Sequence, residues 1–173
     1  MKKRAFPLEK VYRLLGSGPV VLISSLRDQA PNIMPIAWTI PLDFDPPLVG
    51  CCIGDHSYTF ATVKKSRELV INIPTVDLVK KVYACGKCSG RQVDKFRSFG
   101  LTQRPASKVK APLIEECYAN LECRVVDMSQ IKKYNLFIVE VVAAHVAPTK
   151  KPPKTLHHIT GKRFMVGGRE INA

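Results

Sequence analysis

The stretch from Asn32 to Gly50 restricts the possible folds more than any other part of the chain. It begins as an apolar strand that reaches Ile40, meets a proline-rich segment from Pro41 to Pro47, and continues as a second strand from Leu48. Proline lacks the amide hydrogen that a central strand must donate, so the proline-rich segment is predicted to be a corner held by its prolines. The stretch therefore predicts two strands joined by a corner.

The rest of the chain alternates between strand-length apolar runs and short helical patterns. Strands are predicted at 19–24, 32–40, 48–53, 68–73, 118–127 and 136–147, and helices at 8–15, 57–65, 75–83 and 91–99. Residues 19–40 are expected to form a hairpin, and 162–171 a second one with Gly167 and Gly168 at its turn. No βαβ rhythm repeats. The pattern thus predicts a single domain over 1–173, mainly β, as an antiparallel barrel with peripheral helices.

The charge of the chain limits its partners. Lys and Arg number 27 against 14 Asp and Glu, which gives a net charge of +13 and favours anionic partners: a phosphate-bearing cofactor, an acidic protein or nucleic acid. The basic residues are spread out and are not interleaved with the aromatic side chains that a base-stacking surface needs. A solubilising surface is therefore preferred to a nucleic-acid-binding module.

The amino terminus and the apolar runs indicate a cytoplasmic protein. Phe6 and Pro7 follow the basic start where a signal peptide would carry an apolar region, and no apolar run reaches membrane length. The six cysteines are then expected to be mainly reduced.

Several stretches, taken in order, carry a resemblance to a known family. They are the opening stretch 32–50, the turn Gly54-Asp55-His56-Ser57-Tyr58-Thr59, the segment from Cys85 to Phe96, and then Gly100-Leu101-Thr102, Ala111-Pro112 and Leu121-Glu122-Cys123. Together they resemble the flavin reductase-like proteins with an FMN-binding split barrel, and among these the flavoredoxins. The resemblance covers most of the chain from about Pro19. It implies an antiparallel Greek-key split barrel, FMN as cofactor, and a homodimer with each flavin near the subunit interface.

The resemblance also implies where the flavin lies. It assigns cofactor contacts to the strand Met34, Pro35, Ile36, Ala37, Trp38 and Thr39, which would supply the apolar wall and backbone amides that an isoalloxazine ring needs. Trp38 either stacks near the ring or is an ordinary core aromatic. Ser57, Tyr58 and Thr59 open a helix, where free amides suit a phosphate, although helix capping alone would explain Ser57.

Three further polar residues are candidate cofactor contacts. Asn72 lies in an apolar strand and needs a partner, which is either the flavin or the corner at Pro74. Arg91 and Lys95 are four residues apart and would present two cations on one helix face, unless Asp94 and Lys95 form surface ion pairs. His56 either contacts the phosphate or ribityl chain or is simply exposed.

Cys85 and Cys88 have a spacing that serves both dithiol redox chemistry and metal binding. One pair cannot complete a four-ligand metal site, and no second pair has matching spacing. Unbridged structural thiols are the first interpretation. A redox-active pair that exchanges electrons with the flavin is the sharper alternative.

The expected function is electron or hydride transfer through FMN. The chain has no Gly-x-Gly-x-x-Gly motif and no phosphate loop, but the resemblance still allows NAD(P)H, whose nicotinamide stacks on the flavin in this family without a Rossmann domain. No catalytic side chain stands out. The alternatives are an NAD(P)H-dependent flavin oxidoreductase, a non-enzymatic electron carrier fed by a redox protein and, last, a basic nucleic-acid-binding module.

One segment departs from the family pattern. Lys132-Lys133-Tyr134-Asn135 stands where the resemblance leads us to expect a Gly-Asp-His-like turn. If that turn shapes the substrate mouth, the electron acceptor differs from that of better-known members.

Overall fold

The computed structural model describes residues 3–11, 19–149 and 151–167. The strands within these ranges are β1 (Arg4–Ala5), β2 (Val21–Arg27), β3 (Ala30–Ile36), β4 (Thr39–Phe44), β5 (Pro47–Cys52), β6 (Glu68–Ile73), β7 (Gln103–Arg104), β8 (Leu113–Ile114), β9 (Ala119–Asp127), β10 (Leu136–Val146), β11 (Leu156–Thr160) and β12 (Arg163–Val166). The helices are α1 (Tyr58–Ser66), α2 (Val79–Cys85), α3 (Lys95–Ser98) and α4 (Ile131–Tyr134), with 3-10 turns at Leu8–Lys10 and Val76–Leu78.

The central sheet is antiparallel and curves into an open barrel. Its strands are hydrogen-bonded in the order β3-β2-β6-β9-β10-β5-β4, and β1 pairs with β10. β3 and β4 lie at opposite ends of this path, yet only Ala37 and Trp38 separate them in the chain. Two residues span too short a distance to cross a flat sheet, so the sheet must curl until its two edges meet at this corner. The predicted antiparallel barrel is confirmed.

Two buried clusters hold the barrel and its outer helices together. Inside, Ile23, Ile71, Leu121 and Phe137 are fully buried, and Phe60 of α1 meets Phe137 edge to face with ring centroids 5.2 Å apart. Outside β2 and β3, the second cluster packs α2, α3 and β11 against the sheet through Leu22, Ile33, Val82, Phe96 and Leu156. No helix within the described ranges is long and apolar enough to span a membrane.

The first hairpin is confirmed, but the corner after it is shorter than predicted. β2 and β3 pair around Asp28 and Gln29, whose φ angles are 48° and 66°. The segment 41–44, predicted as part of the corner, is strand β4, and the turn is confined to Asp45 and Pro46. β4 is an edge strand, so the missing amide hydrogen of Pro41 leaves no neighbour unpaired.

Three other predictions need correction or fall outside the described ranges. The helix predicted at 91–99 begins only at Lys95, because the Asp94 side chain caps it by accepting from the Arg97 amide at 3.1 Å. The last hairpin pairs β11 with β12 around Gly161, and residues 168–171 lie outside the description. Of the helix predicted at 8–15, only Leu8–Lys10 is seen, as a 3-10 turn, and 12–15 are not described.

Glu122 is fully buried and ties the loop after β7 to the sheet. Its carboxylate accepts hydrogen bonds from the Ser107 amide at 2.9 Å and the Lys108 amide at 2.6 Å, and His145 Nε2 lies 2.8 Å from Oε1. Burial by itself raises the pKa of this carboxyl, but the hydrogen bonds from Ser107, His145 and Lys108 outweigh it and leave the pKa below its ordinary value.

We expect Glu122→Gln to lower the free energy of unfolding by about 2 kcal/mol near neutral pH, because the amide leaves part of this network unpaired. The folded pKa lies below the unfolded value of 4.5, so the advantage of the wild type is present above that value and is lost as the pH falls through the folded pKa. Urea unfolding near neutral pH and near pH ~3 measures this difference. The exposed Glu9→Gln is the control, and a difference that persists unchanged in acid would contradict the assignment.

Candidate functional site

A cleft of about 540 Å³ opens between β3, the start of α1 and the segment from Cys85 to Gln92. Its lining joins several predicted site residues to others; it comprises Asn32, Met34, Pro35, His56, Ser57, Tyr58, Thr59, Cys85, Gly86, Lys87, Cys88, Ser89, Gly90, Gln92 and Lys95. This set contains two lysines and no acidic side chain, so the cleft favours an anion. We call it the first cleft.

The start of α1 provides hydrogen-bond donors to the first cleft. Ser57 Oγ accepts from the Phe60 amide at 3.0 Å, so the predicted capping role of Ser57 is confirmed. The amides of Tyr58 and Thr59 come too early in the helix to find a carbonyl within it. These amides, the Ser57 hydroxyl and the positive end of the helix dipole suit a phosphate group.

Asn32 is a site residue that the sequence reasoning missed. It is only 2% exposed and lines the first cleft. Its Nδ2 donates to Thr59 Oγ1 at 2.8 Å, whereas its Oδ1 has no partner within the described part of the chain. A free acceptor suits a hydroxyl group better than a phosphate. The signal that could have found it is an amide side chain in an apolar strand, as at Asn72.

Lys95 lines the first cleft with a buried side chain. It is neither a cation on an exposed helix face nor part of a surface ion pair with Asp94, the two arrangements predicted from the sequence. Its side chain is 4% exposed, and Nζ donates at 2.7 Å to the carbonyls of both Ile33 and Cys85. Burial lowers the pKa of Lys95, opposed by the nearby thiols of Cys88 and Cys85. Lys95 therefore fastens the end of α2 to the edge of β3. Arg91 lies in a turn before α3, is exposed and does not line the cleft, so the predicted pair of cations on one helix face is wrong.

Asn72 is a core residue and not a cleft residue. Its amide nitrogen donates to the Leu22 carbonyl at 2.9 Å and to Ser24 Oγ at 3.0 Å, and its oxygen accepts from the amide of Ile114 and from Asn120 Nδ2. These partners come from β2, β8 and β9, so neither a flavin contact nor the Pro74 corner explains the residue.

A second, smaller cleft of about 240 Å³ adjoins the first one and shares Pro35, Gly86 and Lys87 with it. Its walls are mostly apolar or aromatic; among them are Ile36, Ala37, Val82, Tyr83, His158 and Phe164. His158 Nε2 donates to the Gly161 carbonyl at 3.2 Å, and its ring meets Phe164 edge to face at 5.2 Å. The sequence reasoning missed this wall because it placed the hairpin turn at Gly167.

The two clefts together match the shape and chemistry of FMN. A strand rises about 3.3 Å per residue, so the path from Asn32 to Ala37 spans about 16 Å, comparable with an extended flavin mononucleotide. The first cleft is cationic and rich in donors, while the second is apolar and flat-sided. Asn32 lines the first cleft and carries a buried Oδ1 with no partner among the described residues, an acceptor that suits a ribityl hydroxyl. The residues present therefore fit this cofactor.

Trp38 is neither buried in the core nor in the lining of either cleft. It is 77% exposed and begins a row of exposed apolar side chains that continues along β4 with Ile40, Leu42 and Phe44. We call this row the apolar β4 surface. Ile40 and Leu42 pack over Gly50, where a Cβ atom would lie 3.1 Å from Ile40 Cγ2. Thr39 follows Trp38 with a buried hydroxyl that has no partner among the described residues.

All six cysteines are free thiols. Cys85 is buried and Cys88 partly exposed, and both line the first cleft. Within the described ranges, no group of three or more His, Cys, Asp or Glu side chains is arranged to hold a metal ion.

The chain is similar to known proteins both in sequence and in structure. Residues 14–166 match the family model of the flavin reductase like domain. An uncharacterized protein of Archaeoglobus fulgidus is 36% identical over 149 residues, which cover 82% of this chain and 84% of that protein. The FMN-binding domain of a flavin reductases-like enzyme from Shewanella baltica superimposes with a TM-score of 0.92 at 29% identity, over 99% of this chain and 97% of that chain. Flavoredoxin from Methanosarcina acetivorans gives a TM-score of 0.78 at 27% identity, over 90% and 87%.

Proposed function

The chain belongs to the flavin reductase-like family, and from this premise we propose that it binds FMN and transfers electrons or hydride between a donor and a flavin or other acceptor. The observation that carries the proposal is the pair of adjoining clefts, one cationic and polar and the other apolar. When bound, FMN supplies the redox chemistry. The chain binds the cofactor, orients it and keeps water from its ring.

The first cleft holds the phosphate and the ribityl chain in this proposal. The amides of Tyr58 and Thr59 and the Ser57 hydroxyl donate to the phosphate, with Lys87 and Lys95 supplying positive charge. Thr59 Oγ1 accepts from Asn32, so its own proton is directed elsewhere, which suits a phosphate oxygen. Asn32 Oδ1 accepts from a ribityl hydroxyl.

The second cleft holds the isoalloxazine ring. Pro35, Ile36 and Ala37 give it an apolar wall. β3 is an edge strand of the sheet, so its outward backbone groups that Lys95 does not bind are available to the polar rim of the ring. Tyr83 and Phe164 provide flat surfaces on the other sides. Met34 lies where the two parts of the cofactor join.

NAD(P)H-dependent reduction of flavin or of another acceptor is the form of this function that we propose. A non-enzymatic carrier would use the same cofactor but would take its electrons from a redox protein. The two differ in whether NADH or NADPH alone reduces the bound FMN. A cytoplasmic location, in which the six free thiols stay reduced, completes the proposal.

We further propose that the protein is a homodimer joined through the apolar β4 surface. Four large apolar side chains lie exposed in a row, Trp38 before the edge strand β4 and Ile40, Leu42 and Phe44 on it, and patches of this kind mark contact surfaces. The surface begins at Trp38, directly after the Ala37 that lines the second cleft. A second copy seated there would lie beside the flavin ring.

Thr59→Val is expected to raise the FMN dissociation constant about tenfold, because it removes a phosphate donor and leaves Asn32 Nδ2 unpaired. Thr62→Val is the matched control. Thr62 is equally buried on the same helix, but its hydroxyl donates to the Tyr58 carbonyl at 2.9 Å and does not line the first cleft. Titration of FMN fluorescence measures both constants. Equal losses of affinity in the two variants would refute the proposed phosphate site.

A further inference from the structure

Cys85 and Cys88 lie on one continuous turn that faces the first cleft. Helical backbone bonding continues past the end of α2, since the Gly86 amide donates to the Tyr83 carbonyl at 3.1 Å and the Lys87 amide to the Ala84 carbonyl at 3.0 Å. Residues three apart on such a turn share a side. Cys88 Sγ turns back toward the helix, 3.7 Å from the Ala84 carbonyl oxygen.

The two thiols differ in access. Cys85 is completely shielded from solvent, and burial raises its pKa to about 11, against the opposing effect of Lys95. Cys88 is partly exposed at the cleft wall. The Lys95 ammonium lies close enough to interact electrostatically with both sulfurs. A positive charge beside a thiol favours its thiolate. Cys88 is therefore the accessible thiol of the pair, and Cys85 is the shielded one.

We propose that Cys88 and Cys85 form a dithiol–disulfide couple that exchanges two electrons with the flavin, whose ring lies in the adjoining second cleft, beyond the Gly86 and Lys87 that both clefts share. The inference rests on the proposed function, because oxidised FMN is the electron acceptor. Two S–H bonds break and one Sγ–Sγ bond forms, which releases two electrons and two protons. Both electrons and both protons pass to oxidised FMN, giving its dihydro form, and the reverse reaction opens the disulfide. Lys95 holds the Cys85 end of α2 against β3 through its bonds to the Cys85 and Ile33 carbonyls.

Tryptic mass spectrometry tests the couple directly, because the chain has cleavage sites after Lys81, Lys87 and Arg91. The two cysteines then fall in separate peptides, 82–87 and 88–91, which only a disulfide joins. After treatment with the thiol oxidant diamide, we expect the joined peptide in the wild type and in Cys52→Ser, and its loss in Cys88→Ser. Free peptides, or Cys88 joined to another cysteine, would overturn the inference.

Anaerobic dithionite titration of the oxidised, FMN-loaded protein tests the flavin step. We expect the wild type to consume twice as much dithionite as Cys88→Ser, because the disulfide takes two electrons in addition to those taken by FMN. Equal consumption overturns the couple. FMN binding and the dithiol–disulfide couple fail separately. A missing flavin band in both proteins overturns FMN binding, and with it the flavin as acceptor. An intact band without the joined peptide overturns only the couple.

Discussion

Gly90→Ala is expected to weaken FMN binding about 100-fold, the largest effect of any single substitution in the first cleft. A Cβ atom at position 90 would overlap the Asn32 side-chain oxygen and would lie 3.2 Å from Tyr58 Cδ1. Asn32 is buried and held by its hydrogen bond to Thr59, so moving it aside breaks that bond. Either Asn32 or the segment around Gly90 is displaced, and the ribityl site is lost in both cases.

The control for this substitution is Gly167→Ala, where the nearest atom to an added Cβ would be Thr155 Oγ1 at an ordinary 3.4 Å. Equilibrium titration of FMN fluorescence gives both affinities, and circular dichroism establishes that each variant is folded. Asn32→Ser combined with Gly90→Ala relieves the overlap and should recover the thermal stability lost in the single variant. An FMN affinity of Gly90→Ala within about threefold of the wild type would show that the cofactor does not use this part of the cleft.

Ile40→Asp combined with Phe44→Asp is expected to convert the proposed dimer into monomers. These side chains are 57% and 59% exposed on the apolar β4 surface, and a carboxylate at either position would have to lose its water in the dimer. Burying unpaired charge costs several kcal/mol per site, which is enough to dissociate a dimer at micromolar concentration. Light scattering coupled to size exclusion measures the mass against the 19.3 kDa of one chain.

Val126→Asp controls for the charge itself. Val126 is also apolar and 49% exposed, but it lies on β9, three strands away from β4 in the sheet. We expect this variant to keep the mass of the wild type. A wild-type mass of 19.3 kDa at high concentration would refute the dimer, and dissociation by all three aspartates alike would refute the assignment to the apolar β4 surface.

Local sequence signals predicted the parts of the fold that depend on local physics. The β2–β3 hairpin follows from two apolar runs flanking Asp28 and Gln29; both adopt the left-handed conformation, which Asp tolerates. The Ser57 cap requires only a hydroxyl three residues before the amide that it binds. Pro41 was different: whether a proline interrupts a sheet depends on whether its strand has a neighbour on that side, and that is a property of the whole barrel.

The site residues show the same limit. Lys95 was predicted on an exposed helix face, but its two carbonyl partners are 62 and 10 residues away in the sequence. Asn72 looked like a ligand-binding polar residue, yet three other strands supply its partners. His158 and Phe164 joined the second cleft only because the terminal hairpin turns at Gly161. In each case the contact is long-range, and composition or spacing carries no trace of it.

FMN binding and its reduction are tested by the absorption spectrum of the purified protein, reconstituted with FMN, desalted and kept anaerobic. We expect a flavin band near ~450 nm to survive desalting, and NADH or NADPH to bleach it. Bleaching only by dithionite or a protein donor would identify a carrier in place of a reductase. A folded protein that retains no flavin band would contradict FMN binding, and with it the proposed function.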